Sequence, residues 1–245
     1  MIGRRRGRTP DVRGLVEEHL GAGRPTGWFE PLYAAVRGRA DDVPWGGQDP
    51  HPYVTDWLAD PVVAPPGPRA VVVGCGLGGD ARAVHEAGHE VTAFDVAPTA
   101  VAWARERLPD VVDVRTADLL DLPADLVGAF DLVVEVRTVQ SLPGVVRDAA
   151  MHAVASLAAP DGVVVVVTLL ATTADAAATW DGPPWAQAPS ELAAYLAGGL
   201  RRVALEHPEP REGEQAMDVR LTFVRADGPA STGTASGPDV LGIHG

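Results

Sequence analysis

Hydrophobic and polar positions follow two regimes along this chain. From residue 69 onward, short apolar runs alternate with amphipathic stretches. The runs predict strands over 69–73, 90–96, 111–116, 130–136, 162–170, 203–207 and 219–225, with helices over 80–87, 98–108, 145–159 and 189–197. The 162–170 run is almost continuous valine, as a strand buried on both faces requires. Gly88 follows the first of these helices, where a left-handed cap fits, and Pro98 falls in the first turn of the next. Alternation of this kind predicts an α/β fold built on a doubly wound, mostly parallel sheet.

Before residue 69 the pattern changes. Arg and Gly dominate residues 1–24, with a helix expected at 12–20, and aromatic residues then cluster as Trp28, Phe29, Tyr33, Trp45, Tyr53 and Trp57. Short helices are predicted at 27–38 and 52–59, and the proline-rich stretch 61–68 reads as a linker. The organisation expected is a flexible segment at 1–24, a helical lid at 25–62, a binding domain at 63–226 and a disordered tail at 227–245.

Composition narrows the chemistry. The 245 residues carry a net charge of −13, which disfavours a nucleic acid partner. The single basic cluster, Arg4 to Arg8, reads as a solvated end. All 20 residues counted as Lys+Arg are Arg, so Schiff-base and phosphate-loop lysine mechanisms are excluded. Cys75 is the one cysteine, and the seven His show no metal-ligand spacing, so no metal is expected. Neither a membrane-length apolar run nor a secretory segment is present, so a cytoplasmic protein with a small-molecule partner is expected.

Four polar features fall at strand ends. Gly74-Cys75-Gly76-Leu77-Gly78 joins the first strand to a helix. Glycines there allow backbone angles closed to other residues and a close approach by a nucleotide, which the helix N-terminus also attracts. Asp95 ends the second strand about 20 residues on, the place of a ribose-binding acid, though capping of the helix near Pro98 is an alternative. Asp118, just past the third strand, is placed to accept from an exocyclic amine or to cap a turn. The fourth strand ends in Glu135 and Val136 and leads into the loop 137–143, which faces the same crevice. Asp131, at the opposite end of that strand, reads as structural.

Taken in order, VVVGCGLGGD, VTAFDV, TADLLDLP and FDLVVEVRTVQSLP resemble the class I S-adenosylmethionine-dependent methyltransferases over about residues 69–225. Cys75-Gly76, Gly88-His89 and Leu142-Pro143 are most similar to the small-molecule subgroup with thiopurine and tellurite methyltransferases. The resemblance implies a Rossmann-like seven-stranded sheet whose last strand is antiparallel, with an N-terminal helical lid. It implies that Gly74, Cys75, Gly76 and Gly78 pass under the methionine part of the cofactor, that Asp95 and Val96 hold the ribose, that Asp118 and Leu119 meet the adenine, and that Glu135 and Val136 line the sulfonium region. Many relatives carry an acid where this chain has Val72; Glu135 or Asp80 is the candidate substitute.

Direct methyl displacement depends chiefly on alignment of nucleophile and methyl group. An alcohol acceptor adds the need for a base, for which Tyr33, His51 and His152 are the candidates. Trp28, Tyr33, Trp45, Gln140 and Trp185 are the candidate substrate contacts, the aromatics forming either a cage or a helix core. Two alternatives stand. Gly74, Gly76 and Gly79 also fit an NAD(P) fingerprint, although a Tyr/Lys reductase centre is impossible without lysine, and a non-catalytic cofactor-binding regulator would carry the same motifs.

Overall fold

A computed structural model describes residues 11–36, 43, 49–208 and 214–226. Seven strands form one sheet: β1 (Arg69–Val73), β2 (Glu90–Asp95), β3 (Asp113–Thr116), β4 (Phe130–Val136), β5 (Ala158–Ala171), β6 (Leu200–Glu206) and β7 (Ala216–Arg225). Their order is β3-β2-β1-β4-β5-β7-β6. The first five run parallel, while β7 pairs antiparallel with both β5 and β6. This is the Rossmann-like sheet with an antiparallel last strand that the sequence implied.

Strand periodicity divides the core into two layers. Val71 and Val73 of β1, Val133 of β4, and Val164 and Val166 of β5 face one side. There they meet α2 (Phe29–Val36), α6 (Gly144–Leu157) and α8 (Ala193–Ala197). Ala70 and Val72, Leu132 and Val134, and Val163, Val165 and Val167 face the other side. They pack on α3 (Pro52–Ala59), α4 (Gly79–Glu86) and α5 (Pro98–Arg107). Burial on both faces explains why the central strands read as continuous valine rather than as an alternation.

Several expectations change in detail. The helix expected at 12–20 is α1 (Val12–Gly21), and its Val16 is buried in the core. The helix expected at 189–197 is a 3₁₀ turn, Pro189–Leu192, followed by α8. A short helix, α7 (Ala174–Thr179), lies where no helix was expected; Thr173 caps it by accepting from the Ala176 amide. The expected tail at 227–245 lies outside the described residues. Asp131 is structural, as expected: it receives the Arg69 amide and two guanidinium hydrogen bonds, which hold its carboxyl below the usual range.

Side-chain bonds fasten the N-terminal helices to the sheet edge. Thr26 Oγ1 donates to Asp118 Oδ2 at 2.6 Å. Glu30 accepts from both the amide and the hydroxyl of Thr99 (2.9 and 2.6 Å), so an acid on α2 caps the start of α5. On the opposite face, Arg220 of β7 donates to the Tyr53 carbonyl at 2.6 Å and clamps the start of α3.

Candidate functional site

A cavity of about 510 Å³ opens at the carboxyl ends of β1 to β4, the edge at which open α/β sheets bind ligands. The volume is that of a small-molecule site, for which about 300–1,000 Å³ is typical. The glycine turn forms its floor. Gly74 (φ 58°) and Gly76 (φ 51°) are left-handed. A Cβ on Gly74 would lie 2.3 Å from Thr138 Oγ1, and one on Gly76 would lie 3.1 Å from the Tyr33 hydroxyl. Gly78 does something else: it is the left-handed N-cap of α4 (φ 87°), its missing Cβ faces Leu108, and it is not on the cavity wall. Gly79, one residue on, lines the cavity instead.

The acids differ in role. Asp95 lines the cavity, and its Oδ2 accepts from the Gly76 amide at 3.0 Å while Oδ1 accepts from Ala97 at 2.9 Å. Binding and loop-fixing therefore coincide in one side chain. Burial raises its pKa to about 6, although the amides of Ala97, Gly76 and Val96 pull it down. Asp118 also lines the cavity, accepting from Leu120 N at 2.9 Å and from Thr26. Val96, Leu119 and Val136 line it as implied.

Glu135 is placed differently from the expectation. It is fully buried behind the wall, not on it. Its Oε1 accepts the amides of Thr138 (2.6 Å) and Val139 (3.1 Å), and its Oε2 accepts from the Tyr195 hydroxyl (3.3 Å). It anchors the loop after β4, including Thr138, whose hydroxyl donates to the Val73 carbonyl at 3.0 Å. Burial pushes its pKa up to about 7. Of the two substitutes considered for the missing acid at Val72, only Asp80 reaches the cavity.

Among the base candidates, Tyr33 and His51 line the cavity, whereas His152 is exposed on α6 and takes no part. His51 caps α3, with Nδ1 accepting the Tyr53 amide at 3.2 Å. Burial, then the charge of Arg137, lowers its pKa. The neutral ring so held carries its proton on Nε2 and presents a donor. Cys75 lines the cavity as a neutral thiol, because burial pushes its pKa well up.

Of the described candidate aromatics, Tyr33 lines the cavity, while Trp28 and Trp185 do not. Trp28 stacks on Phe29 with centroids 4.0 Å apart inside the core, and Trp185 packs under the Arg147 guanidinium at 5.7 Å. Trp45 lies outside the described residues. Gln140 is buried off the cavity, where its Oε1 accepts from Thr168 Oγ1 at 2.8 Å. Helical spacing of the aromatics fits core packing as well as a cage, and packing prevailed. Sequence reasoning did not name Thr26, and it gave Arg137 only as the start of the crevice-facing loop 137–143 and Pro184 only within the loop 182–185; all three line the cavity. The signals were present: Thr26 precedes the aromatic cluster, Arg137 directly follows a strand end, and Pro184 belongs to a Pro-Pro-Trp loop.

Among the described residues no cluster of His, Cys, Asp or Glu is suited to a metal, and no helix is long and apolar enough to cross a membrane. Comparison with known proteins agrees with the architecture. A family model described as a methyltransferase domain matches residues 70–162. The ubiquinone biosynthesis O-methyltransferase of Xanthomonas campestris pv. campestris is 36% identical over 149 residues, which cover 58% of this chain and 61% of that protein. The chain thus spans about three fifths of the length of the curated relatives it matches. A solved structure concerned with the conversion of a disulfide bond into a thioacetal group during echinomycin biosynthesis superposes with a TM-score of 0.63 at 20% identity, covering 84% of this chain and 94% of its own. Magnesium protoporphyrin IX methyltransferase from Synechocystis, with bound SAH, gives a TM-score of 0.55 at 21% identity, covering 71% and 80%. Residues 70–162, which carry the glycine turn, Asp95, Asp118 and Arg137, therefore match a methyltransferase domain, and the sheet around them has the fold of these structures.

Proposed function

We propose that this protein transfers a methyl group from S-adenosylmethionine to a small-molecule nucleophile. The observation that carries the reading is the convergence of the Gly74–Gly76 turn, Asp95 and Asp118 on one cavity, within the segment that matches a methyltransferase domain. The turn leaves room for a ligand against bare backbone. Each carboxylate oxygen keeps a second lone pair beyond its present hydrogen bonds, so Asp95 would accept from ribose hydroxyls and Asp118 from the adenine amine. When bound, S-adenosylmethionine supplies a methyl group on an electrophilic sulfonium.

The chain's own work is then to orient the acceptor and exclude water. Helices α2 and α3 serve as the lid, and Tyr33, Leu142 and Pro184 complete the wall above the turn. The acceptor class follows from what the wall offers. His51 presents a donor and Cys75 a neutral thiol, so neither removes a proton as placed. That favours an acceptor already nucleophilic, such as the thiol-type acceptors of the thiopurine and tellurite subgroup that the motifs resemble. An O-acceptor, as in the ubiquinone O-methyltransferase relatives, would need a base as well.

Isothermal titration against S-adenosylmethionine and against NAD, followed by transfer of labelled methyl into thiol and phenol acceptor panels, tests this. Binding of the sulfonium cofactor and label in thiols are expected. Binding of NAD alone would reject the reading, and label only in phenols would reject the acceptor class.

A further inference from the structure

Arg147 is a buried cation placed against the electrostatics of its own helix. It lies near the N-terminus of α6, where the helix dipole disfavours positive charge and the first turn offers no acid. Only 5% of the residue is exposed. Three contacts hold it there. Nε donates to the Leu142 carbonyl at 2.9 Å, Nη1 donates to Glu191 Oε2 at 2.9 Å, and the guanidinium carbon lies 5.7 Å from the centre of the Trp185 ring. Glu191 in turn accepts the Ala188 amide on Oε1 at 2.8 Å. Leu142 belongs to the loop after β4, whereas Trp185, Ala188 and Glu191 follow β5. One side chain thus bridges two segments from behind the cavity wall. Leu142 lines the cavity, as does Pro184, the neighbour of Trp185, while Arg147 itself does not.

A buried ion pair adds little net stability, because desolvation offsets its attraction, so its effect is felt in the geometry it fixes. Here that geometry is the spacing of Leu142 and Pro184. We infer that Arg147 is a positioning residue for the methyl acceptor: it fixes the distance between Leu142 and Pro184, and with it the size of acceptor that fits between them. The inference rests on the methyltransferase reading, in which the glycine turn, Asp95 and Asp118 take the cofactor and Leu142 and Pro184 are left to the acceptor. Both are apolar, so the part of the acceptor they enclose is an uncharged hydrocarbon or aromatic body. A guanidinium suits the task because its planar fork donates in two directions while its face covers the indole. A lysine ammonium keeps the charge but lacks the fork and the face. The Trp185 amide also donates to the Gln140 carbonyl at 2.9 Å, so the two segments stay joined when Arg147 is replaced.

Arg147→Met and Arg147→Lys test the assignment, the first keeping the unbranched stem and the second the charge as well. Transfer of labelled methyl is measured to thiophenol and para-tert-butylthiophenol, and to the two corresponding phenols, with binding of S-adenosylhomocysteine followed by calorimetry on the same samples. The native enzyme should separate the small from the bulky acceptor by at least about tenfold in kcat/KM, as a pocket of fixed size does. In both variants that ratio should fall to within about threefold. The KM of the preferred acceptor should rise about tenfold with kcat within about threefold, while S-adenosylhomocysteine affinity stays within about twofold. The phenol pair is read in the same way where label enters phenols only. A merely structural role would weaken S-adenosylhomocysteine binding and transfer to every acceptor together, and that result would overturn the inference. So would a native ratio in Arg147→Lys, or a native enzyme that does not separate the two sizes. Absence of transfer to any of these acceptors, with S-adenosylhomocysteine bound, would overturn the inference and leave the cofactor reading standing. Failure of the native protein to bind S-adenosylhomocysteine would remove that reading, and the inference with it.

Discussion

Asp95 ties the end of the second strand to the glycine turn: its Oδ2 accepts the Gly76 amide at 3.0 Å across 19 residues of sequence. One carboxylate thus shapes the turn and faces the cavity that the turn floors. Because burial raises its pKa to about 6, the fully accepting, ionised form fills in only above that pH.

The first prediction concerns this residue. Affinity for S-adenosylmethionine should rise between pH 5 and 7 and level off above, since hydroxyl donors favour the ionised carboxylate. Asp95→Asn should bind about 10- to 100-fold more weakly at pH 7.5 and lose the pH dependence, as expected for a charged hydrogen bond of about 1.5–3 kcal/mol. Titration calorimetry across pH decides it. An unchanged affinity would leave Asp95 with only its role in the turn.

Glu135 gives a stability prediction of definite sign. Burial raises its pKa from 4.5 to about 7, so the folded state prefers the protonated form. Its contribution is complete below pH 4.5 and is lost as pH rises through 7. Gln in its place keeps an oxygen for the two amides and offers an NH2 to the Tyr195 oxygen, without a charge to bury. Glu135→Gln should therefore gain on the native protein with rising pH, by at most about 3 kcal/mol between pH 4.5 and 8. Urea melts of both proteins at four pH values measure the difference, and a constant difference would contradict it.

The strands were legible because each is a run of apolar, β-branched residues between turn residues; β1 and β4 fall where periodicity put them. Gly74, Gly76, Asp95 and Asp118 were legible because a strand's end fixes which edge its next residues reach. Roles set by side-chain direction were not. Glu135 and Val136 are adjacent, yet the alternation of a strand sends one behind the wall and the other onto it. Gly78 belongs to the same motif as Gly76 but answers to Leu108, the residue just after α5, a contact 30 residues away. The aromatic residues before α3 stayed ambiguous in sequence for a related reason: Trp28 has the chemistry of a cage and the packing of a core.

Thr26 and Asp118 join the lid to the sheet by one hydrogen bond of 2.6 Å. Thr26→Val keeps the shape and removes the donor. Stability should fall by about 1 kcal/mol, and limited proteolysis within residues 11–36 should quicken several-fold. Cofactor should restore protection if adenine takes over the freed Asp118 lone pair. Proteolysis at the native rate would show that the Glu30–Thr99 contact holds the lid unaided.

The three positive-φ glycines of the turn separate structure from binding. Gly74→Ala would place a methyl 2.3 Å from Thr138 Oγ1 and 2.6 Å from its Cγ2, and Thr138 is pinned by Glu135 and the Val73 carbonyl, so the clash cannot relax cheaply. Added to a left-handed penalty of about 1–2 kcal/mol, overpacking should bring the loss of stability to about 3 kcal/mol. Gly78→Ala carries the same backbone penalty, but its methyl meets Leu108 Cδ1 at 3.0 Å, a side chain able to shift. It should cost about 1–2 kcal/mol and leave cofactor affinity close to native. Gly76→Ala points into the cavity toward the Tyr33 hydroxyl at 3.1 Å. Its stability cost should match that of Gly78→Ala, yet its cofactor affinity should fall at least tenfold, because the methyl occupies space the ligand needs. Thermal melts and cofactor titrations on the three variants supply both axes. Equal affinity for Gly76→Ala and Gly78→Ala would mean that the ligand does not lie against this turn.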